Sequence, residues 1–443
     1  MYDTKSPEGI KVVTSRKPPG RSSDALLVRV VACGINPVDA KFVVADKLPE
    51  RFRWLARRAV NGCVAGFDLS GVVEHAPEGS GFKRGDEVFG AVPPFRGSFA
   101  ELVSVPLDQV ALKPSSLTHA QAAALVLPGI TVCQALAQHG FRPGQSVLVI
   151  GGSGGVGHLA IQIAKAQGAG TVAAVCSGRN VDFVRSLGAD HVVDYTRHPG
   201  PSGPPGPPLT TTTTKTTRPA ASGGEVPNDV VVSDLQDIVR ARGGVSFDLV
   251  IDTVSSHDSR DSVWAYERRI RTTSDPPVVA SGPNAADPHN YVTIGSATRG
   301  WMLAGIKRLF GVNLFGRGRE LFWIKFPGCR PDLETLRGLA DNIQGAEKEE
   351  EKEEERECVP GTLRRNILEK EKDAGTTTTP AGRTDYYSRP VPSYVNAAGG
   401  RRTRSVKPEI DGVVELTDEG VREGFRRLNG RRVRGKIVLQ VQS

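Results

Sequence analysis

The sequence predicts an α/β fold in which a doubly wound parallel sheet is accompanied by a small β-barrel, and three observations support this. Between residues 26 and 110, short apolar runs separated by Gly and Pro turns indicate the strands of a barrel. From residue 120 onward, strand patterns alternate with apolar-faced helix patterns, which is typical of a parallel sheet covered by helices. A glycine-rich turn joins the first of these later strands to a helix.

The individual elements follow in order from these patterns. The barrel strands are predicted from the runs LLVRVVACG, GVVEHA, GDEVFGAV and SFAELVSV. A helix over 119–139 precedes the strands SVLVIGG, TVAAVCS, HVVDY, FDLVIDTVS and NYVTIGS, with the helices VGHLAIQIAKAQGA and VDFVRSLGA between them. The last stretch predicts a strand, a helix and a strand: DGVVEL, TDEGVREGFRRLNG and GKIVLQV.

Two segments have compositions that cannot support a packed core. Residues 199–229 are rich in Pro, Thr and Gly, and residues 345–404 contain the run EKEEEKEEERE at 347–357. We therefore expect two low-complexity, disordered insertions. The Glu/Lys spacing of the second also fits a solvated helix or an acidic binding segment, and these alternatives stay open.

Composition and charge exclude several classes of protein. Six cysteines without a CxxC pair argue against a disulfide scaffold and a four-cysteine zinc site, and favour a reducing compartment. No run of about 18 apolar residues is evident, so we expect no membrane-spanning helix. The first residues match neither a signal peptide nor a transit peptide, which predicts a cytoplasmic protein, with a mitochondrial one as the alternative. The net charge of +8 comes mainly from dispersed basic residues, so we expect no nucleic-acid partner.

The glycine-rich turn GGSGGVG at 151–157 follows an apolar strand and opens a helix. Glycines let backbone N–H groups approach a pyrophosphate, and the helix N-terminus supplies partial positive charge. This context predicts a dinucleotide site whose turn residues are Ser153, Gly154, Gly155, Val156 and Gly157.

The end of the following strand indicates which dinucleotide binds. NAD sites carry an acidic residue there, whereas this strand ends in Cys176 and is followed by Ser177 and Arg179. A hydroxyl and a guanidinium suit a 2′-phosphate, which predicts NADPH as the cofactor. A plain surface loop is the alternative.

These motifs, in this order and spacing, resemble the medium-chain dehydrogenase/reductase superfamily, specifically its zinc-independent quinone oxidoreductase branch (zeta-crystallin-like). The resemblance covers roughly residues 10–198, 230–300 and 406–443. It is carried by the glycine turn and by the motifs GINPVDAK (34–41), GFDLSG (66–71), GDEVFG (85–90), GSFAE (97–101), LPGIT (127–131), DTV (252–254) and GKIV (435–438).

The resemblance implies a GroES-like β-barrel catalytic domain, built from both parts of the chain that flank a Rossmann cofactor domain. We therefore expect the catalytic domain at 1–124 and 335–443, and the NADPH-binding domain at 125–334. Relatives begin with a strand before the segment that matches residues 2–10, so we expect this first strand to be missing.

The resemblance also implies the chemistry. Asn36 and Phe67 stand where alcohol-dehydrogenase relatives carry a zinc-binding Cys and His, so we expect no metal. The expected reaction is hydride transfer from NADPH to a quinone or other conjugated carbonyl (an enone). Asn36, Asp39 and Lys41 would be the catalytic residues near the nicotinamide, with Lys41 a donor to the developing oxyanion. A turn at Asn36 with a surface pair of Asp39 and Lys41 is the alternative.

By the same resemblance, Thr131, Thr253 and Val254 would line the cofactor. The adenosine phosphate would be surrounded by Ser177, Arg179, Asn180 and Tyr195, although many relatives have Lys where Asn180 stands.

Two alternatives for the function stay open. The insertions and the missing strand favour a catalytically idle member that acts as a binding or adaptor protein. An enoyl-thioester reductase is less favoured, because the segment FVVADKLPE at 42–50 lacks the Tyr of those enzymes. The aromatic and basic segment 301–326 predicts a substrate lid and a homodimer region, with peripheral membrane contact as its alternative.

Overall fold

The computed structural model describes residues 10–14, 17–41, 61–93, 96–196, 227–254, 278, 290–294, 320–321, 328–342, 405–430 and 432–441. The segment 2–9, nearly all of the two predicted insertions and most of the segment 301–326 lie outside these residues. The predictions made for them therefore remain predictions.

The described strands and helices follow the predicted order closely. The strands are β1 (Ala25–Ile35), β2 (Asp68–His75), β3 (Glu87–Ala91), β4 (Leu102–Pro106), β5 (Val110–Leu112), β6 (Ser146–Ile150), β7 (Thr171–Cys176), β8 (His191–Asp194), β9 (Leu249–Asp252), β10 (Tyr291–Thr293), β11 (Glu320–Leu321), β12 (Ile410–Glu415) and β13 (Lys436–Gln440). The α-helices are α1 (Pro37–Lys41), α2 (His119–Gln138), α3 (Gly157–Ala166), α4 (Val181–Ser186), α5 (Pro227–Ala241), α6 (Arg330–Asp341) and α7 (Asp418–Asn429).

Within the described residues, the barrel sheet has seven strands and unites two distant parts of the chain. Its order is β12-β13-β1-β2-β3-β5, and β4 also pairs with β1. β1 and β13 are antiparallel, with Ala32 opposite Gln440 and Ile35 opposite Ile437. Because side chains alternate along a strand, β1 buries Leu26, Val28 and Val30 completely in the barrel core.

The part of the second sheet that the structure describes has six parallel strands in the order β11-β10-β9-β6-β7-β8. β6 lies between β7 and β9, so the strand order reverses at β6. In a doubly wound sheet, ligands bind at the carboxyl ends of the strands beside such a reversal. Every residue of β6 is buried, as expected of a central parallel strand. The structure confirms the predicted fold, a Rossmann sheet with a GroES-like barrel.

Helix α2 packs against strands of the barrel and helices of the second sheet. It begins at a capping box in which Thr118 and Gln121 bond each other's backbone N–H groups. Its length and apolar composition would suffice to span a membrane, and 83% of that stretch is buried inside the protein. The expectation that the chain has no such run was wrong, because the core here needs a helix that is apolar on nearly all sides.

Helices α5 and α6 were not predicted from the sequence. α5 begins at Pro227, so the part of the predicted insertion after that residue is helical. α6 buries Leu333 and Leu336, and a Cβ on Gly129 of α2 would lie 2.8 Å from Cδ1 of Leu336. The predicted domain boundaries at 124/125 and 334/335 fall inside α2 and α6, and the domain assignment stays a prediction.

Candidate active site

The glycine turn follows β6, at the reversal of the strand order. Gly151 has a φ of 86°, and a Cβ there would lie 2.5 Å from Oγ1 of Thr253. A Cβ on Gly157 would overlap the carbonyl oxygen of Gly151, whereas a Cβ on Gly154 would approach nothing closer than 3.5 Å. The turn is therefore closed at its ends and open at Gly154. This arrangement fits a pyrophosphate that binds the backbone of residues 153–157.

Asn180 joins the glycine turn to the end of β7. Its Nδ2 donates to Oγ of Ser153 at 3.0 Å and to Oγ of Ser177 at 3.1 Å. Asn180 is 9% exposed, so its side chain is buried between the two loops. Its amide nitrogen braces the loops, and direct contact with a cofactor phosphate stays a prediction.

Arg179 and Tyr195 lie at the surface beside Ser177. Nη2 of Arg179 donates to the carbonyl oxygen of Arg432 at 3.4 Å, and Tyr195 is 49% exposed. The carboxylate of Asp194 also lies here, because a Cβ on Gly178 would overlap its Oδ2. The end of β7 carries no acid, yet the end of β8 brings one close. The proximity of Asp194 was not predicted, because the residues after β7 alone indicated the cofactor.

Four polar side chains form a buried cluster in the barrel: Asn36, Asp39, Asp68 and Lys436. Each is at most 4% exposed. Nζ of Lys436 donates to Oδ1 of Asn36 at 2.6 Å and to the carbonyl oxygen of Ile35 at 3.1 Å. Nδ2 of Asn36 donates to Oδ2 of Asp68 at 2.8 Å, and this oxygen lies 3.7 Å from Nζ of Lys436. We call this the Asn36–Lys436 cluster.

The first residues of β13 connect this cluster to the glycine turn. The N–H of Gly435 donates to the carbonyl oxygen of Ser153 at 3.0 Å. A Cβ on Gly155 would lie 3.2 Å from Cδ of Lys436. The stem of Lys436 therefore runs past the turn, and its ammonium group reaches Asn36. Lys436 belongs to the motif GKIV but was not predicted as a site residue. The available signal was a lysine at the start of an apolar strand.

Burial dominates the electrostatics of the Asn36–Lys436 cluster. It raises the pKa of Asp68 to about 6, against the opposing attraction of Lys436. Burial and the charge of Asp68 hold the pKa of Asp39 well above its usual range. Burial also lowers the pKa of Lys436, although both carboxylates favour its charged form. Burial thus disfavours the charged form of each of these groups, and the hydrogen bonds and opposite charges within the cluster offset part of that cost.

The predicted catalytic residues Asn36 and Asp39 do lie together, within this cluster. Oδ2 of Asp39 accepts from the N–H of Asn36 at 2.7 Å, and Asp39 is fully buried. The alternative of a surface pair of Asp39 with Lys41 was therefore wrong. The side chain of Lys41 lies outside the described residues, and its role stays a prediction.

The predicted cofactor-lining threonines both bond backbone carbonyls. Thr131 in α2 is 3% exposed, and its Oγ1 donates to the carbonyl oxygen of Leu127 at 2.7 Å. Oγ1 of Thr253 donates to the carbonyl oxygen of Ile150 at 2.8 Å, directly before the glycine turn. Thr253 therefore lies against the turn and Thr131 is held within its helix, and contact of either residue with the cofactor stays a prediction.

Asp252 fixes the conformation of the chain after β9. Its Oδ1 accepts from the N–H of Val254 at 2.9 Å, and its Oδ2 accepts from the hydroxyl of Tyr291 at 2.7 Å. Val254 itself is 44% exposed. The supporting role of Asp252 and Tyr291 was missed, because their contact joins residues from different strands.

The donor set around Asn36 does not suit a metal ion. The amide of Asn36 is engaged by Lys436 and Asp68, and the nearby ammonium group would repel a cation. Phe67 offers only a hydrocarbon ring. Within the described ranges, no group of three or more His, Cys, Asp or Glu side chains is arranged to hold an ion. Metal independence remains a prediction for an activity measurement.

Two family models match the chain. The model described as "Alcohol dehydrogenase GroES-like domain" matches residues 22–115, which cover the first five barrel strands. The model described as "Zinc-binding dehydrogenase" matches residues 155–202, which follow from the glycine turn into α3, β7 and β8.

Curated relatives match about two fifths of the chain. The "2-methylene-furan-3-one reductase" of Solanum lycopersicum is 38% identical over 204 residues, which cover 44% of this chain and 51% of that protein. The "NADPH-dependent alkenal/one oxidoreductase, chloroplastic" of Arabidopsis thaliana is 39% identical over 188 residues, 40% of this chain and 47% of that protein. The chain thus spans about half the length of the curated relatives it matches.

A solved structure shows the same fold. The quinone oxidoreductase from Coxiella burnetii superposes with a TM-score of 0.54 at 20% identity, covering 96% of this chain and 93% of that one. At this identity the similarity concerns the fold alone. The matched family models and the curated relatives show that the chain is similar to zinc-binding dehydrogenases and to reductases of furanones, alkenals and alkenones, and the strand orders and the glycine turn agree with this similarity.

Proposed function

We propose that the protein is an NADPH-dependent oxidoreductase that transfers a hydride to a quinone or other conjugated carbonyl without a metal. The observation that carries the proposal is the contact of the open glycine turn with the buried Asn36–Lys436 cluster through Gly435 and Lys436. The names of the two curated relatives support the substrate class, since a methylene-furanone and alkenals or alkenones are conjugated carbonyl compounds.

Each part of the site has a separate task in this proposal. When bound, NADPH supplies the hydride, and the protein orients the two reactants. The backbone of residues 153–157 binds the pyrophosphate, and Ser177 and Arg179 bind the 2′-phosphate. Thr253 and Val254 border the cofactor beyond the turn. Lys436 and Asp68 hold the amide of Asn36 in one orientation. Lys41 remains our candidate donor to the carbonyl oxygen of the substrate.

Cofactor choice is tested with Arg179→Asp. We expect the wild-type protein to bind NADPH more tightly than NADH, and the variant to lose about 10- to 100-fold in NADPH affinity, the range for a charge-assisted hydrogen bond. Fluorescence titration of both dinucleotides measures the affinities. Arg185→Asp, at another exposed arginine of this domain, is the control for net charge. Equal affinities of the wild type for both cofactors would refute the preference.

The reaction itself is tested by NADPH oxidation with a panel of quinones and enones. We expect turnover without added metal, unaffected by chelators. Stoichiometric zinc in the purified protein, with activity lost to chelators, would show that the metal-free proposal is wrong. The absence of turnover despite NADPH binding would favour an idle member that acts as a binding protein.

We also propose a homodimer located in the cytoplasm. The aromatic composition of the segment 301–326 supports the dimer, since buried dimer surfaces concentrate such residues. Sedimentation equilibrium and imaging of a fluorescent fusion test the two statements. A monomer would contradict the first, and import into an organelle would contradict the second.

A further inference from the structure

His158 lies in the first turn of α3 and is fully buried. Its Nδ1 lies 2.9 Å from the carbonyl oxygen of Gly154, and its Nε2 lies 3.2 Å from the backbone nitrogen of Glu409. A carbonyl oxygen only accepts and a backbone N–H only donates. Both contacts are satisfied together by a neutral ring with its proton on Nδ1. Burial, which lowers the pKa of His158 to about 4, favours this neutral form.

The carbonyl of Gly154 receives two hydrogen bonds from this one residue. The ring of His158 donates at 2.9 Å, and the backbone N–H of His158 donates at 3.0 Å. Because a trans peptide is planar, the C=O of Gly154 and the N–H of Gly155 point in opposite directions. Holding the carbonyl towards α3 therefore directs the N–H of Gly155 away from the helix. An anion approaches a helix N-terminus from this side.

The other side of the ring holds residues 405–409, which we call the strap. Val406 is fully buried, and its N–H donates to the carbonyl oxygen of Leu339 at 3.1 Å. The N–H of Lys407 donates to Oε1 of Gln162, one turn after His158 in α3, at 2.9 Å. The carbonyl oxygen of Glu409 accepts from the N–H of Lys436 at 2.9 Å. His158 therefore stands where the glycine turn, the strap and the start of β13 meet.

We propose that His158 is a positioning residue for the cofactor: its neutral ring orients the Gly154–Gly155 peptide towards the pyrophosphate and fastens this peptide to the strap. The inference rests on the proposed function, because it takes the pyrophosphate of a nicotinamide dinucleotide as the ligand of the turn. A buried histidine that only filled space would leave the affinity for this ligand unchanged.

The test compares two variants that each lose one bond to the strap. His158→Phe keeps an aromatic ring but loses the ring's two hydrogen bonds, to the carbonyl oxygen of Gly154 and from the N–H of Glu409, while the backbone bond to Gly154 remains. Gln162→Met loses the bond to Lys407 and the bond from Nε2 to the carbonyl oxygen of His158, and it leaves Gly154 untouched. We expect the Kd for NADPH, from fluorescence titration, to rise about 3- to 10-fold in H158F, the range for one or two hydrogen bonds. The Kd should stay within about two-fold in Q162M, with kcat at saturating NADPH little changed in both.

A rescue variant separates positioning from packing. His158→Gln retains an N–H donor and an oxygen acceptor, so its Kd should fall well below that of H158F. A wild-type Kd in H158F, or an equal rise in Q162M, would overturn the inference while leaving the proposed function intact. If wild-type protein bound no nicotinamide dinucleotide, the proposed function itself would fail.

A measurement on the wild-type protein keeps the inference testable if H158F does not fold. The 15N NMR signals of the His158 ring, identified by their absence in H158Q, report which nitrogen carries a proton. We expect a neutral ring protonated at Nδ1. A ring protonated at Nε2 alone, or an imidazolium at neutral pH, could not make both contacts and would overturn the inference.

Discussion

Lys436 and Asp68 place opposite charges in the protein interior, where their side chains are 4% and 0% exposed. Removing charges from water is costly, and only the attraction of the partner and good hydrogen bonds compensate. Here Asp68 also accepts from the N–H of Leu127 in α2 at 3.1 Å, and Lys436 donates to two oxygens. At the scale of single residues, the charges of Lys436 and Asp68 are therefore tolerated in the barrel only while both are present.

Lys436→Met should therefore destabilise the protein by about 3–5 kcal/mol, since it leaves Asp68 buried without its partner. The double variant Lys436→Met with Asp68→Asn should lose clearly less free energy of unfolding, because neither of the two buried charges remains. Urea unfolding gives both free energies. A single variant no less stable than the double one would contradict this account.

His158 predicts a pH dependence of stability. Its pKa is near 6.5 in the unfolded chain and about 4 in the folded protein. Between these values the unfolded chain binds more protons, so stability rises with pH and is lost as the pH falls from 6.5 towards 4. Lys436 is the charged group that adds to this shift.

We expect the stability advantage of the wild type over His158→Gln to shrink by about 2 kcal/mol between pH 7 and pH 5. Urea unfolding of both proteins at the two pH values measures it. Parallel pH profiles would show that the ring does not titrate in the expected way.

At the scale of elements, two glycines of the glycine turn are required for different reasons. Gly157 has no room for a side chain, because a Cβ would overlap the carbonyl oxygen of Gly151. A Cβ on Gly154 would meet no other protein atom closely, so the packing of the protein does not require glycine there. Glycine at this position instead leaves space for the cofactor to approach the backbone of the turn.

The free energy of unfolding of Gly154→Ala should therefore lie within about 1 kcal/mol of the wild-type value. Its affinity for NADPH should nevertheless be at least 10-fold lower. Gly157→Ala should lose both stability and binding. Thermal unfolding and fluorescence titration measure the two effects. Normal NADPH binding by Gly154→Ala would mean that the middle of the turn does not contact the cofactor.

Elements with a clear local pattern were predictable from the sequence. The apolar runs of β6 and β7 indicate strands, and the apolar face of α3 indicates a helix, because each pattern is complete within a few consecutive residues. α5 and α6 were missed because their patterns lie beside low-complexity sequence. Within the site, the glycine turn and Asn36 were found from motifs, whereas the partner of Asn36 was not. Lys436 lies 400 positions away, and no local pattern reveals a contact over that separation.

At the scale of the whole molecule, the strap shows where the second insertion enters and leaves the folded protein. The N–H of Val406 bonds the carbonyl oxygen of Leu339, so the end of α6 and the strap are adjacent. A short connection can therefore replace the long one. Loop closure costs about 0.6 kcal/mol for each doubling of length, so a shorter loop favours the folded state.

Deleting residues 346–403 should leave the protein folded and stabilise it by up to about 2 kcal/mol. A deletion of the same length at 350–407 removes Val406 and Lys407 from the strap and should be strongly destabilising. Thermal unfolding with and without NADPH compares the two. Failure of the first deletion to fold would show that the acidic segment belongs to the core.

The pairing of β1 with β13 also governs how the chain is made. Residues 25–35 leave the ribosome long before residues 436–440 exist, so β1 spends most of translation without β13, one of its three partner strands. An unpaired edge of this kind invites pairing with other chains. The parallel sheet from β6 onward can assemble meanwhile, since domains fold as units during synthesis. The nascent protein is therefore most exposed to aggregation just before its last strand emerges, and that is the stage at which a chaperone would protect it best.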